Sequence, residues 1–556
     1  MRNFTGEQAS SCVMPVRVPG SCIRSVRFRR FQASAALSAL VIGLVLLGVP
    51  AQTLSAAPAQ QPYESASLPV KLGPIDDLVF ARLQQLHIEP ARPCSDAVFV
   101  RRAFLDVIGR LPTPAEAREF IQNSAPAKRD ALIDQLLARD EFADYWAMKW
   151  SDLLRVKAEY PINLWPNAAQ AYHRWIRSSL HEGKPFNQFA RELLVANGSN
   201  FRVGPVNFYR ALQSKDATSI AQSVALIFMG ARTEHWPADR VAGLAGFFNQ
   251  VGYKSTSEWK EEIVYWDPGK APPTGTAPAR FPDGTLATLP VGRDPRAVFA
   301  DWLLAPDNPW FARAFANRVW SWLLGRGIVQ EPDDFRADNP PVNPELLTYL
   351  EHEVTRSGHD LRQLFRVILN SQTYQLSCVP NSGHPEAAAN FAAYPLRRLE
   401  AEVLIDAIND ITGTTEKYSS AIPEPYTFIP DEARAVELPD GSITSSFLEM
   451  FGRPPRDSGL ASERNNHTTA GQRLHLLNSS HIRRKLEQGP RLAELLRGRP
   501  REVTDRLFLA ILSRFPTDEE RALVSERLKS GRGNSRDAAL DLAWALINTA
   551  EFLHRH

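Results

Sequence analysis

Three clusters of polar side chains contain the residue types that catalytic and binding sites use. The first cluster combines two carboxylates with an imidazole, a set that can ligate a metal ion or carry out acid–base chemistry. The alternative, which we favour, is a solvated turn between two apolar helical stretches. The members of this cluster are Glu234, His235 and Asp239.

The second cluster groups acidic side chains around a single arginine. Carboxylates in this arrangement suit a cation or the hydroxyl groups of a sugar, but ion pairs that lock a loop explain the pattern equally well. We favour the structural interpretation here too. Its members are Asp333, Asp334, Arg336 and Asn339.

The third cluster places arginines beside a Gly-Pro turn. Arg453 and Arg456 could clamp an anion through paired N–H groups. Glu463, Arg464 and His467 follow, and the four-residue spacing of Glu463 and His467 would put both on one face of a helix. For this cluster the structural interpretation is only slightly favoured over a binding role.

The usual catalytic signatures are absent from the sequence. It contains no Walker loop, no dinucleotide-binding glycine motif and no G-x-S-x-G elbow. His352 and Glu353 begin a zinc-protease pattern, but Arg356 stands where the second histidine is needed. We therefore expect no metal and no cofactor, and the sequence leaves open whether the protein is an enzyme.

The first 59 residues have the organisation of an export signal. Arginines precede an apolar run at residues 33–49, and small residues at 56–59 resemble a cleavage site. We expect cleavage after Ala57 or Ala59. In the alternative, residues 33–49 remain as a membrane anchor. Localisation is expected to be periplasmic or secreted.

Loss of the leader changes the charge of the chain. The full sequence has 64 basic and 62 acidic residues, and residues 1–59 hold six arginines and one glutamate, so the mature chain carries 58 against 61. A slightly acidic protein without a basic block lacks the electrostatic footprint of a nucleic-acid-binding protein. We therefore exclude nucleic acid as a partner.

Two cysteines remain after the leader, Cys94 and Cys378. In an oxidising compartment they could form one long-range disulfide, and two free thiols are the alternative. No C-x-x-C-H segment occurs anywhere, so covalent attachment of haem through that motif is excluded.

Apolar spacing and helix caps predict a mainly α-helical fold with little β structure. Asn308 before Pro309, Asn343 before Pro344 and Asp360 are each predicted to start a helix. A stretch rich in Pro and Gly, residues 268–292, predicts a linker between a helical domain at 70–267 and a second at 293–556. Residues 263–266 are the best candidate strand, and 413–446 predict a long irregular excursion.

The sequence resembles a known pair of domains. Residues 101–113 (RRAFLDVIGRLPT) are similar to the opening of the planctomycete cytochrome-like domain of unknown function, second kind. Residues 317–329 (NRVWSWLLGRGIV), 451–454 (FGRP) and 476–478 (LLN) resemble its usual companion, the planctomycete-specific domain of unknown function. The resemblance implies an exported, mainly helical two-domain protein, and it implies no particular reaction.

One departure from the resemblance bears on function. Many relatives carry a C-x-x-C-H segment after the helix that here ends near Gly230, whereas this chain continues with Glu234-His235-Trp236-Pro237. We therefore expect a binding or assembly module at the cell envelope, whose partners include other exported proteins. The alternative is a hydrolase of sulfated or complex glycans that uses carboxylates of the second domain.

Overall fold

The structure is a computed structural model that describes residues 62–270, 278–530 and 535–556. The predicted leader and residues 271–277 of the predicted linker lie outside the described residues. Within the described part, helices dominate and the strands are few and short, which confirms the mainly α fold class.

The described residues before the linker form nine α-helices. They are α1 (Pro74–Gln85), α2 (Asp96–Ile108), α3 (Pro114–Gln122), α4 (Lys128–Leu137), α5 (Asp140–Leu153), α6 (Pro166–His181), α7 (Phe186–Leu194), α8 (Ala217–Phe228) and α9 (Ala238–Ala245).

The described residues after the linker form thirteen more helices. They are α10 (Pro295–Leu303), α11 (Phe311–Leu324), α12 (Pro344–Arg356), α13 (Leu361–Leu369), α14 (Ala401–Thr412), α15 (Ser446–Met450), α16 (Ala470–Asn478), α17 (Ser480–Gln488), α18 (Pro490–Leu495), α19 (Pro500–Leu512), α20 (Asp518–Ser530), α21 (Ser535–Ile547) and α22 (Ala550–Leu553).

Side-chain caps fix where several of these helices begin. The Asn343 side chain accepts the backbone N–H of Leu346, and the predicted start of α12 is therefore confirmed. Asp360 caps α13 in the same way, as predicted. Asn308 Oδ1 accepts the N–H groups of Trp310 and Phe311, as predicted for a cap, although the regular helix α11 begins at Phe311 and not at Pro309.

Five short strands accompany the helices in the described residues. Strands β1 (Gly198–Ser199), β2 (Val251–Ser255) and β3 (Glu262–Trp266) form an antiparallel sheet in the order β1-β3-β2. The predicted strand at residues 263–266 is therefore confirmed. Strands β4 (Arg397–Arg398) and β5 (His554–Arg555) pair antiparallel.

Aromatic side chains join the two predicted domains in one hydrophobic core. Trp146 of α5 lies 5.0 Å from Trp322 of α11 and 4.6 Å from Phe365 of α13, measured between ring centroids. Phe186 of α7 stacks on Phe315 of α11 at 3.9 Å. The described residues of both predicted domains accordingly form one compact unit.

Candidate functional site

The third cluster lies in the loop between α15 and α16, which folds back on itself. Gly452 has a left-handed backbone (φ +83°), and its carbonyl accepts the N–H of Asn465 at 3.2 Å. The Arg398 guanidinium donates to the carbonyls of Phe451 and Asn465 at 2.5 and 3.2 Å. The loop is thereby closed, and its arginines point at helices from both halves of the chain.

Arg464 ties the two halves of the chain together. Its guanidinium lies 2.7 Å from Asp152 of α5 and 2.7 Å from Glu402 of α14. Arg456 adds a second contact to Asp152 at 2.9 Å, and Arg453 lies 3.4 Å from Glu402. Two carboxylates are thus shared among three arginines in the interior of the protein.

Burial and charge act in opposite directions on these groups. Desolvation alone would raise the pKa of Glu402, but the Arg464 guanidinium outweighs it and the pKa falls to about 2. Asp152 and Glu402 in turn hold the pKa of Arg464 well above its usual value despite burial. Glu402 is therefore an ionised, structural carboxylate across the physiological pH range.

A second buried carboxylate, Glu400, lies at the start of α14. Lys149 of α5 donates to one oxygen at 2.5 Å, and Arg555 of β5 contacts the other at 2.6 Å. Burial raises the pKa of Glu400, but Arg555 and Lys149 together hold it well below the usual range. Burial lowers the pKa of Lys149 to about 8, against the attraction of Glu400.

Residues of the second cluster approach the same region. Asp333 is buried and accepts a hydrogen bond of 2.6 Å from Arg232, which precedes the first cluster in the chain. Its other oxygen accepts the N–H of Ala461 at 3.4 Å. Asp333 therefore connects the second cluster to segments that lie next to the first and third clusters in the chain, and it does so as a salt-bridge and hydrogen-bond partner.

The other members of the second cluster serve the local turn. Asp334 lies 3.2 Å from Arg336. Asn339 donates from its side chain to the carbonyls of Gln330 and Asp334, both at 2.9 Å. These contacts fit the interpretation of a loop that ion pairs and amide hydrogen bonds hold in place.

The first cluster is exposed. Glu234 and His235 lie in a one-turn 3-10 helix, and Asp239 lies in the first turn of α9. Among the described residues no group of three or more His, Cys, Asp or Glu side chains could hold a metal ion.

The expected helical pairing of Glu463 and His467 is wrong. The 3-10 turn at 461–463 ends before Arg464, and the backbone becomes extended there, so a four-residue spacing places the two side chains on no common face. Glu463 instead accepts the backbone N–H groups of Asp457 and Ser458 at 2.9 and 3.3 Å. His467 is exposed.

Two cavities flank the segment that contains Leu460, which lines both of them. The larger has a volume of about 430 Å³, and its charged lining residues are Arg155, Arg232, Glu234 and Asp457. The smaller has a volume of about 190 Å³ and lies between α5, α11 and the closed loop. Its charged lining residues are Lys149, Asp152, Arg318, Arg397, Glu400 and Arg464.

The two cysteines lie on paired segments of backbone. The N–H of Cys94 donates to the carbonyl of Gln375 at 2.8 Å, and the N–H of Ser377 donates to the carbonyl of Arg92 at 2.7 Å. Both cysteines are free thiols, which is the second of the two states that the sequence allowed. Burial raises the pKa of the Cys378 thiol.

Sequence reasoning missed the partners that the arginines use. Lys149 and Asp152 lie in a helix in which almost all neighbouring positions are buried. Charged side chains in such an apolar helix indicate that they have buried partners, and this pattern could have identified them from the sequence. Glu400 and Glu402 likewise precede the apolar stretch of α14.

No helix in the described part of the chain is long and apolar enough to span a bilayer.

Each half of the chain matches a protein-family model. Residues 74–235 match the family model PSCyt2, a protein of unknown function (DUF1549). Residues 295–528 match PSD1, a protein of unknown function (DUF1553). No curated protein and no solved structure matches the chain. The order inferred from sequence is confirmed: the chain carries a PSCyt2 domain followed by a PSD1 domain.

Proposed function

We propose that the protein is an exported binding module that holds a ligand in the polar cleft between its PSCyt2 and PSD1 domains without hydrolysing it. The cleft consists of the two cavities on either side of Leu460. One observation supports the proposal above the others: both carboxylates that line the smaller cavity are already neutralised by two cations each.

Each of these two carboxylates contacts two cations. Asp152 contacts Arg456 and Arg464 at 2.9 and 2.7 Å. Glu400 contacts Lys149 and Arg555 at 2.5 and 2.6 Å. A glycosidase needs one carboxyl group whose pKa is raised so that it keeps a proton to donate. Cations on both oxygens of Glu400 have the opposite effect, since they favour the ionised form.

The alternative, a hydrolase of sulfated or complex glycans, draws on the carboxylates of the second and third clusters. Asp333 is engaged by Arg232 and by the backbone of Ala461, and Glu463 is engaged by two backbone N–H groups. These contacts favour a role in fastening loops, because a general acid or nucleophile must face its substrate.

Export is part of the proposal and rests on the leader sequence. The arginines before residues 33–49 and the small residues at 56–59 support passage to the periplasm or the exterior, with an uncleaved membrane anchor as the variant of the same idea. Edman sequencing of the protein from the envelope fraction of its host tests this. A new N-terminus near residue 58 or 60 supports cleavage, and an intact leader in membranes supports the anchor.

Turnover assays test the absence of hydrolysis. The purified protein is incubated with sulfated and unsulfated polysaccharides, and both released sulfate and new reducing ends are measured. We expect the wild type to match the variant Asp152→Asn, with no activity in either. Activity in the wild type that Asp152→Asn or Asp333→Asn abolishes would establish the hydrolase instead.

A further inference from the structure

The smaller cavity has an unbalanced charge. Among the residues that line it, Lys149, Arg318, Arg397 and Arg464 are cationic. The carboxylates that line it are Asp152 and Glu400, so four positive charges face two negative charges. An excess of buried positive charge is costly unless an anion neutralises it.

The acidic groups behind the lining do not remove this excess. Glu402 lies between Arg464 and the further arginine Arg453. Asp106 lies 3.3 Å from Arg555 and 3.4 Å from Arg397. Each additional carboxylate therefore brings an additional arginine, and the surplus at the cavity remains.

Arg318 is the clearest unmatched cation of the lining. Its side chain is 2% exposed, and its terminal N–H groups donate to the carbonyls of Leu226 and Ile227 at 3.1 and 2.6 Å, at the end of α8. These contacts use neutral acceptors, and its Nε has no hydrogen-bond partner. Burial lowers the pKa of Arg318 to about 10, so it stays cationic at neutral pH.

Lys149 keeps unused donors in the same place. Lys149 is 9% exposed, and its ammonium group donates one hydrogen bond to Glu400. Its other N–H groups remain for another acceptor. Arg397 also lines the cavity, and its terminal nitrogens donate to the carbonyls of Trp322 and Leu323 and to Asp106. Lys149 thus offers spare donors at the cavity, and Arg318 and Arg397 add positive charge to the same lining.

We propose that this cavity binds the oxyanion group of a small ligand, a carboxylate, phosphate or sulfate. The inference rests on the proposed binding function and specifies its ligand class. A volume of about 190 Å³ is enough for roughly six water molecules, which is room for one such group and a few further atoms. Charged N–H donors form strong hydrogen bonds to oxyanions, particularly where water is excluded.

Isothermal titration calorimetry of the full-length protein tests the inference. The probes are sodium sulfate, sodium phosphate and sodium acetate, each against sodium chloride at matched ionic strength. Glucose 6-sulfate and glucose form a further pair, which separates a free oxyanion from one carried on a sugar. We expect saturable binding of at least one oxyanion and none of chloride or glucose.

Two variants locate the site. Lys149→Gln removes one donor, and we expect it to weaken binding at least about tenfold. Its matched control is Lys184→Gln, a lysine of similar burial that pairs with Glu192 outside the cavity lining, and its affinity should equal the wild type. Ser321→Leu fills the cavity without changing its charge and should abolish binding.

The outcomes are distinct. The oxyanion site is overturned if no oxyanion binds more tightly than chloride, or if Lys149→Gln and Ser321→Leu both bind with the affinity of the wild type. Neither result bears on the absence of hydrolysis. Steady release of sulfate or sugar from a polysaccharide overturns the proposed function instead. Circular dichroism and thermal unfolding of each variant confirm that a lost signal does not reflect a lost fold.

Discussion

Asp152 and Arg464 stand 312 residues apart in the chain and are joined by two hydrogen bonds of 2.7 and 3.1 Å. Asp152 belongs to the PSCyt2 domain and Arg464 to the PSD1 domain. Because Arg464 also binds Glu402, one guanidinium connects α5 to α14. The polar interior therefore fastens the two domains while it shapes the cleft between them.

Removal of the charge of Glu402 should destabilise the protein. In Glu402→Gln the buried guanidiniums of Arg464 and Arg453 lose a shared counter-charge, and we expect a loss of about 3 kcal/mol in the free energy of unfolding. Chemical denaturation measures it. The control is Glu487→Gln, which breaks an exposed pair with Arg483 and should cost less than about 0.5 kcal/mol. Equal effects at the two sites would contradict a buried network.

The local features of the fold were predictable because neighbouring residues determine them. The capping box at Thr113 and Glu116 and its counterpart at Thr517 and Glu520 follow from a three-residue spacing, and both are present. The partners of Arg464 were not predictable in this way. They depend on how α5 and α14 pack, and a sequence without pairing information gives no distance between residues so far apart.

Gly452 should tolerate no side chain. Its φ of +83° is left-handed, and a Cβ atom there would stand 1.9 Å from the carbonyl oxygen of Asn465. We expect Gly452→Ala to cost about 3 kcal/mol and to open the loop that carries Arg453. Gly358 is the control, since its φ of +67° is also left-handed but no atom lies within 4 Å of its Cβ position.

In Gly358→Ala only the backbone strain remains, at about 1 kcal/mol. Thermal and chemical unfolding of the two variants therefore separate strain from steric contact. A Gly452→Ala protein as stable as Gly358→Ala would show that the loop is not closed as described.

Acidification should destabilise the fold through His173. This histidine is buried in α6, and desolvation together with Arg456 lowers its pKa to about 3. The unfolded state takes up a proton near pH 6.5 while the folded state does not, so the stability that is full above pH 6.5 is lost as the pH falls toward 3. The slope is up to about 1.4 kcal/mol per pH unit.

The variant His173→Leu should reduce this slope. Its stability at pH 8, where the imidazole of the wild type is neutral in both states, reports the packing change alone. Unfolding free energies at pH 8, 6 and 5 measure the difference, and parallel pH profiles for the two proteins would show that His173 does not contribute.

Asp333 should hold the segment at Ala461 in place. In Asp333→Asn the charge that pairs with Arg232 is lost, and we expect a destabilisation of about 2 kcal/mol together with faster hydrogen exchange of the Ala461 amide. Asp338→Asn is the control, because Asp338 belongs to the same loop but its side chain is 75% exposed. Unchanged exchange at Ala461 would indicate that Asp333 does not bind this segment.

The ionisation state of Glu400 tests the central claim most directly, since the two cations beside this carboxylate keep it ionised, whereas a glycosidase general acid must keep a proton. Glutamate residues labelled with ¹³C at the side-chain carboxyl are followed by NMR from pH 8 downward, and Glu400→Gln assigns the resonance. We predict that Glu400 stays ionised below the pH at which an ordinary glutamate titrates, because Arg555 and Lys149 hold its pKa well below the usual range. Titration of this carboxyl group at pH 6 or above would contradict the account.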